Sequence, residues 1–252
     1  MEGDLPEHAT TARAGDDRTR AAAPLGGQAG MGRGLRLYLD SADPSTWRRW
    51  LATGVFHGIT TNPLLLERAG HSCNLDTLSR LTGTALELGA AEVHLQAWGD
   101  TAADLARCGR RLRDIAAKVV VKVPVDEAGL VAARELHRDR VPVTLTALHH
   151  PHQAVLAAAA GAAYAAPYLG RMSDAGRDGM VAVLSMHEIL ARTGSCTRLL
   201  VASLRSAGQV ADLARAGLDT FTVNAAIAEE LVSDELTDAA VADFRRASRS
   251  SR

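Results

Sequence analysis

Two lysines stand four residues apart in the apolar run Lys118-Val-Val-Val-Lys122-Val-Pro124, and they are the only lysines among 28 basic residues. Arginine stays charged at any physiological pH, whereas a desolvated lysine amine can lose its proton and attack a carbonyl carbon. The run is β-branched, too short for a helix and closed by a proline, so it predicts a buried strand with residues 118, 120 and 122 on one face. Elsewhere, polar side chains end otherwise apolar runs: Asp40, Thr61-Asn62-Pro63, Gln96, Thr146, Tyr168 with Arg171, Ser203 with Arg205, and Asn224. A nucleophilic amine, a carboxylate for proton transfer, donors for hydroxyls and cations for a phosphate are together what a Schiff-base lyase or transferase needs. No metal-ligand set accompanies them, and this chemistry calls for no cofactor.

These residues need a scaffold that gathers them. From Leu35 onward, short β-rich runs alternate with longer helical ones, the pattern of βα units and a parallel sheet. The predicted strands are Leu35–Asp40, Gly58–Thr61, Glu92–Ala97, Val119–Val123, Val141–Thr146, Ala163–Tyr168, Leu199–Ser203 and Thr220–Asn224. Asp43-Pro44 reads as cap and first turn before Trp47–Ala52, Asp100 as cap before Thr101–Ala116, and glycines 54, 89, 161, 194 and 217 as helix stops. Eight such units close a (β/α)8 TIM barrel of one domain over residues 35–252, with residues 1–34 a disordered tail. A doubly wound open sheet is the alternative, but it leaves strands over and lacks a glycine-rich turn after the first one. Barrel active sites lie at the carboxyl ends of the strands, so Lys122 is predicted at the chemical end and Lys118 at the opposite, solvated end. A salt-bridged interior lysine is the bland alternative for Lys122.

Composition is compatible with this. A chain that is 47% hydrophobic, 23% charged and of formal net charge −1 has material for a sizeable core and no charge excess for general nucleic-acid binding. Apolar runs fall short of the ~18 residues of a membrane helix, and no secretory signal is visible, so no membrane partner is expected and the cytoplasm is the expected location. Cys73, Cys108 and Cys196 are widely spaced and read as reduced, structural thiols.

The motifs Tyr38-Leu-Asp40-Ser-Ala42, Gly58-Ile-Thr-Thr-Asn62-Pro63, Val119-Val-Val-Lys122-Val-Pro124, Ala166-Pro-Tyr-Leu-Gly-Arg171 and Ala202-Ser-Leu-Arg205 resemble those of the small transaldolase and fructose-6-phosphate aldolase family, in order, on five strands. The resemblance implies transfer of a dihydroxyacetone unit from a ketose phosphate (fructose 6-phosphate or sedoheptulose 7-phosphate) to an aldose phosphate through an imine on Lys122, without a metal. It further implies that Asp40 moves the proton of the C4 hydroxyl, that Asn62 binds donor hydroxyls, that Gln96 and Thr146 hold water, and that Arg171, Ser203 and Arg205 hold the phosphate. Gln96 and Tyr168 match the aldolase branch, which releases free dihydroxyacetone, while Gly170-Arg171 and Ser203-Leu-Arg205 match the transaldolase phosphate site. Thr144 and Ala166 stand where transaldolases usually carry asparagine and serine. A sugar-phosphate-binding barrel without activity and a deoxyribose-phosphate-type aldolase are further readings; intact Asp40, Lys122 and Thr146 oppose the first, and a lysine on the fourth strand opposes the second.

The remaining signals read plainly. His149-His150-Pro151-His152 opens a helix without partners of metal-ligand spacing and predicts a solvated loop. Trp47 and Trp50 predict packing of the first helix on the barrel, and Trp98 is a candidate border of the pocket. Ala225–Val232 and Thr237–Ala247 read as amphipathic terminal helices that pack within the chain; in the resembled family such a helix reaches a neighbouring subunit, which implies a homo-oligomer.

Overall fold

A computed structural model of the chain describes residues 34–250; apart from Gly34, the predicted tail lies outside them. Eight parallel strands follow one another around a (β/α)8 barrel: β1 (Arg36–Asp40), β2 (Phe56–Thr60), β3 (Glu92–Gln96), β4 (Val119–Pro124), β5 (Val143–Leu148), β6 (Tyr164–Pro167), β7 (Arg198–Leu199) and β8 (Thr220–Val223). β1 to β7 pair in sequence order and β1 pairs with β8, so the open-sheet alternative does not apply. The seventh strand departs from the predicted Leu199–Ser203. Beyond Leu199 its hydrogen bonds alternate between neighbours: Ala202 N–H donates to Pro167 O at 2.9 Å, while Val201 N–H donates to Thr220 O at 3.0 Å and its carbonyl accepts from Thr222 N–H at 2.9 Å. Those two contacts join the seventh strand to β8.

The helices begin where local chemistry starts them. α1 (Pro44–Leu51) is capped by Asp43, which accepts from the N–H groups of Ser45 and Thr46, and proline occupies its first turn. For α4 (Ala102–Ile115) the cap is Thr101, one residue after the predicted Asp100, because the Thr101 hydroxyl takes Asp104 N–H and donates back to the Asp104 carboxylate. α3 (Leu75–Glu87), α5 (Glu127–Arg138), α6 (His152–Ala159), α8 (Gly179–Arg192) and α9 (Ala207–Arg215) complete the outer ring. Glycines 54, 89, 161, 194 and 217 all have positive φ and end helices as expected. Two short helices, α2 (Pro63–Arg68) and α7 (Leu169–Asp174), cover the carboxyl rim. α10 (Ala225–Glu230) and α11 (Glu235–Ser250) close the chain.

Strand alternation divides the core. Val119, Val121 and Val123 face outward into the layer between strands and helices, with Leu39, Ile59, Leu95 and Leu145; the buried rings of Trp47 and Trp50 belong to that layer. Val120 instead packs inside the barrel with Tyr38, Tyr164, Ala166 and Leu200. Gly58 permits the close approach of β2 and β3, since a Cβ there would lie 2.1 Å from Glu92 O.

Candidate functional site

Lys122 rises from this interior face to the carboxyl rim. It is 4% exposed, and its Nζ donates to Thr61 O at 2.9 Å. It forms no ion pair among the described residues, so the salt-bridged alternative does not hold. A buried amine placed in this way is a candidate nucleophile for a carbonyl carbon. Lys118 is exposed just ahead of β4, at the opposite end.

A cavity of about 230 Å³ opens over the lysine, walled by Asp40, Asn62, Tyr168, Arg171, Ser203, Arg205 and Asn224. Seven of the predicted rim residues thus meet around Lys122. Asp40 ends β1, and its Oδ1 accepts from the Thr60 hydroxyl at 2.7 Å. Thr60 has spent its hydrogen there, so Thr222 donates to it at 2.5 Å, and the chain Thr222–Thr60–Asp40 aims the carboxylate across three strands. Asn62 caps α2 through its Oδ1, which accepts from Leu65 N–H at 3.1 Å, leaving its amide hydrogens for the cavity. Asn224 caps α10 in the same way through Ile227 N–H at 3.0 Å.

Tyr168 is held on three sides. Its hydroxyl meets Thr146 Oγ1 at 2.8 Å, the Arg171 guanidinium lies 4.7 Å from the ring centroid, and the His149 ring stands edge-on at 5.5 Å. Thr146 therefore reaches the site through Tyr168 and does not itself line the cavity. Ala147 follows with φ of 64° at an irregularity in the β5–β6 register, a local bend of the kind that re-aims a side chain at a strand end. Gln96, although in register with Lys122, faces a second compartment of about 420 Å³ that shares Asn62, Tyr168 and Arg171 with the first and is bordered by Trp98.

The cationic side of the cavity carries three guanidinium groups, Arg68, Arg171 and Arg205. Arg205 pairs with Asp174 at 2.5 Å, but both side chains are more than half exposed, so the pair is weak and open to exchange for another anion. Ser203 has φ of 59°, and its carbonyl accepts from Gly170 N–H at 2.8 Å. A Cβ at residue 170 would lie 2.2 Å from that carbonyl oxygen, so only glycine brings Arg171 this close to Ser203 and Arg205.

Sequence reasoning missed Thr60, Thr222, Arg68 and His149. The threonines could have been found from alternation along β2 and β8, where they share a face with Asn62 and Asn224; Arg68 and His149 carry no such signal. The His149-His150-Pro151-His152 stretch is not simply solvated, since His149 packs on Tyr168 and the rings of His150 and His152 stack at 4.3 Å. Among the described residues no group of three or more His, Cys, Asp or Glu side chains is placed to hold a metal, and Cys73 and Cys108 are free thiols. No helix of the described residues is long and apolar enough to cross a membrane.

Beneath the lysine lies a buried polar cluster that the sequence reading did not identify. Glu92 accepts from the hydroxyls of Tyr38 at 2.8 Å and Tyr164 at 2.7 Å and pairs with Arg36 at 3.3 Å. Burial opposes its charge, but hydrogen bonds from His94, Tyr164 and Tyr38 hold its carboxyl well below the usual carboxylate range. Burial and neighbouring tyrosine and carboxylate oxygens push the Tyr38 phenol far up, and burial pushes Tyr164 up to about 12. Burial lowers His94 below the ordinary histidine value.

Fold and rim define the class: a (β/α)8 barrel with a buried lysine, an aimed carboxylate and an arginine-rich wall at its carboxyl face. The transaldolase/fructose-6-phosphate aldolase family model matches residues 37–251. Proteins named probable transaldolase from Exiguobacterium sibiricum and Maridesulfovibrio salexigens are 32% and 34% identical to this chain over 210 residues, covering 83% of it and 96% of each relative. A thiamine phosphate pyrophosphorylase from Pyrococcus furiosus is similar in fold alone, with a TM-score of 0.56 and 13% identity over 78% of this chain and 93% of that one. The chain belongs to the transaldolase/fructose-6-phosphate aldolase family, and with it to the enzymes of aldolase and transferase type.

Proposed function

We propose that the protein is a transaldolase that moves a dihydroxyacetone unit between sugar phosphates through an imine on Lys122. The observation that carries this reading is one buried lysine, without an ion pair among the described residues, sharing a cavity with an aimed carboxylate and three arginines. Lys122 Nζ attacks C2 of the ketose phosphate, and loss of the C2 oxygen as water leaves an iminium. Asp40 takes the proton of the C4 hydroxyl, the C3–C4 bond breaks, and its electron pair flows into the iminium to give an enamine while an aldose phosphate departs. The enamine adds to the carbonyl carbon of a second aldose phosphate, Asp40 returns the proton, and water releases the new ketose. The iminium is the electron sink, so no metal or cofactor is invoked.

In this scheme Asn62 binds donor hydroxyls, Arg171, Ser203 and Arg205 bind the phosphate with Arg68 beside them, and the phosphate displaces Asp174 from Arg205. Gln96, Thr146 and Tyr168 hold the water that forms and hydrolyses the imine. The Thr146–Tyr168 contact favours a second reading, fructose-6-phosphate aldolase, because a tyrosine hydroxyl at that place orients water that would discharge the enamine as free dihydroxyacetone. The deciding experiment supplies fructose 6-phosphate with and without an aldose phosphate and follows new ketose phosphate and free dihydroxyacetone. Transfer exceeding release supports the transaldolase; release unaffected by acceptor favours the aldolase. Absence of both products contradicts both.

A homo-oligomer of cytoplasmic location completes the proposal. Leu236 and Phe244 on α11 are exposed large apolar residues, as is Val232 just ahead of it, and a second copy of the chain is their proposed cover.

A further inference from the structure

Glu92, His94 and Gln96 alternate along β3 with the outward-facing Val93 and Leu95. Gln96 reaches the rim and Glu92 anchors the opposite end, which leaves a fully buried histidine between them that the proposed mechanism does not use. Its Nε2 lies 3.4 Å from Glu92 Oε2 and its Nδ1 lies 3.0 Å from Thr144 Oγ1. Thr144 stands beside Lys122 in the β4–β5 register, and both side chains are buried.

Protonation states follow from these partners. An ionised carboxylate only accepts, so Nε2 of His94 carries the hydrogen. In a neutral ring Nδ1 is then an acceptor, and the Thr144 hydroxyl must donate to it. The Thr144 oxygen therefore turns lone pairs, and not its hydrogen, toward its remaining neighbours, among them the strand that carries Lys122. Protonated His94 would reverse this: Nδ1 would donate, and the Thr144 hydrogen would turn outward toward the cationic iminium.

We propose that His94 is a positioning residue that, through Thr144, keeps an acceptor-only surface beside Lys122 and so favours formation of the iminium. The inference rests on the imine reading of Lys122. Most of the surroundings of His94 support a neutral ring. Burial opposes its charge, and the Lys122 charge from β4 acts in the same direction. The Tyr38 and Tyr164 rings pack edge-on against it at 5.0 and 4.9 Å from β1 and β6, and His57 on β2 disfavours a further positive charge. Glu92 alone pulls the other way, and its charge is shared with Arg36 and two tyrosine hydroxyls.

The test compares wild type with His94→Phe, Thr144→Val, their combination and His94→Asn, measuring kcat and KM for fructose 6-phosphate across pH together with borohydride trapping of the adduct. His94→Phe and Thr144→Val are each expected to lower kcat about tenfold with KM within about threefold, and the double variant to fall no further, because one acts through the other. His94→Asn sets an amide oxygen where Nδ1 stood but cannot titrate; it should keep kcat within about threefold and shift the acidic limb of the profile to lower pH. Multiplying losses in the double variant, wild-type kcat in His94→Phe, or an unchanged acidic limb in His94→Asn would overturn the inference. If the Phe or Val variant does not fold by circular dichroism, the His94→Asn profile decides alone. A wild type that traps no ketose overturns the imine reading and this inference together, whereas trapping that is indifferent to His94 overturns only the inference.

Discussion

Lys122 and Tyr168 divide the labour of the proposed reaction, the first forming the covalent bond and the second governing what water does to it. The Tyr168 hydroxyl is held by Thr146 at 2.8 Å, and in the proposed reaction it is a second water-orienting group at the rim. Tyr168→Phe should therefore lower release of free dihydroxyacetone relative to transfer by about tenfold, a change of ~1.4 kcal/mol in relative barrier. Steady-state assays with and without acceptor give that ratio, and an unchanged ratio would remove Tyr168 from control of the intermediate. Arg205→Ala should instead weaken both reactions alike, chiefly as a raised KM for phosphorylated substrate, because its guanidinium stands in the cationic wall and exchanges a weak surface pair for the phosphate. Lys122 and Asp40 were legible in the sequence because their types are chemically singular and their positions end strands. Arg68, which joins the cationic wall, was not, since its place in the cavity depends on neighbours distant in sequence that only closure of the barrel brings near; strand alternation gives the face of Thr60 but not its partner Asp40.

At the scale of elements, α7 and the segment after β7 are fixed by one close approach. Gly170→Ala would thrust a methyl group 2.2 Å from Ser203 O, and backbone on one side must give. Destabilisation of about 1–3 kcal/mol in urea unfolding is expected, with a raised KM for phosphorylated substrate as Arg171 moves away from Ser203. The β3 cluster makes a separate prediction about pH. His94 and His57 are both lowered by burial, so as pH falls below the ordinary histidine value of about 6.5 the unfolded chain takes up protons that the folded barrel refuses. Stability should fall from pH 7 to pH 5, by at most about 1.4 kcal/mol per pH unit for each histidine, and His94→Phe should flatten the slope. Glu92 acts in the same sense further down, its contribution being present above about pH 4.3 and lost as pH drops toward its lowered folded value. Unfolding free energies that are flat between pH 7 and pH 5 would contradict this account of the cluster. Helix caps and stops were legible because they are local, as Asp43 and the five positive-φ glycines attest. The seventh strand was misjudged in length because its bonding alternates between two neighbours, which a linear pattern does not encode.

The whole barrel accounts for why chemistry collects at one end. Closure turns every second side chain inward, and the inward residues grade from the Arg36–Glu92–Tyr164 cluster at the amino end, through His94 and Val120, to Lys122 and Asp40 at the carboxyl rim. The barrel count was legible because each βα unit repeats the same alternation; assembly was not, since an apolar helix face reads alike whether its partner lies within the chain or in another copy. Exposed Leu236 and Phe244 carry the expectation of a homo-oligomer. Sedimentation equilibrium should give a mass that is a multiple of 26.6 kDa, and Leu236→Ser with Phe244→Ser should lower it; a monomeric wild type would contradict that part of the proposal.

The central claim, that carbon–carbon chemistry passes through an imine on one of two lysines, is tested most directly by borohydride reduction in the presence of fructose 6-phosphate followed by peptide mapping. The expected product is a single reduced adduct on Lys122, the buried lysine at the carboxyl rim, with Lys118 unlabelled and with turnover abolished in Lys122→Arg. A label on Lys118, or turnover retained by Lys122→Arg, would contradict it.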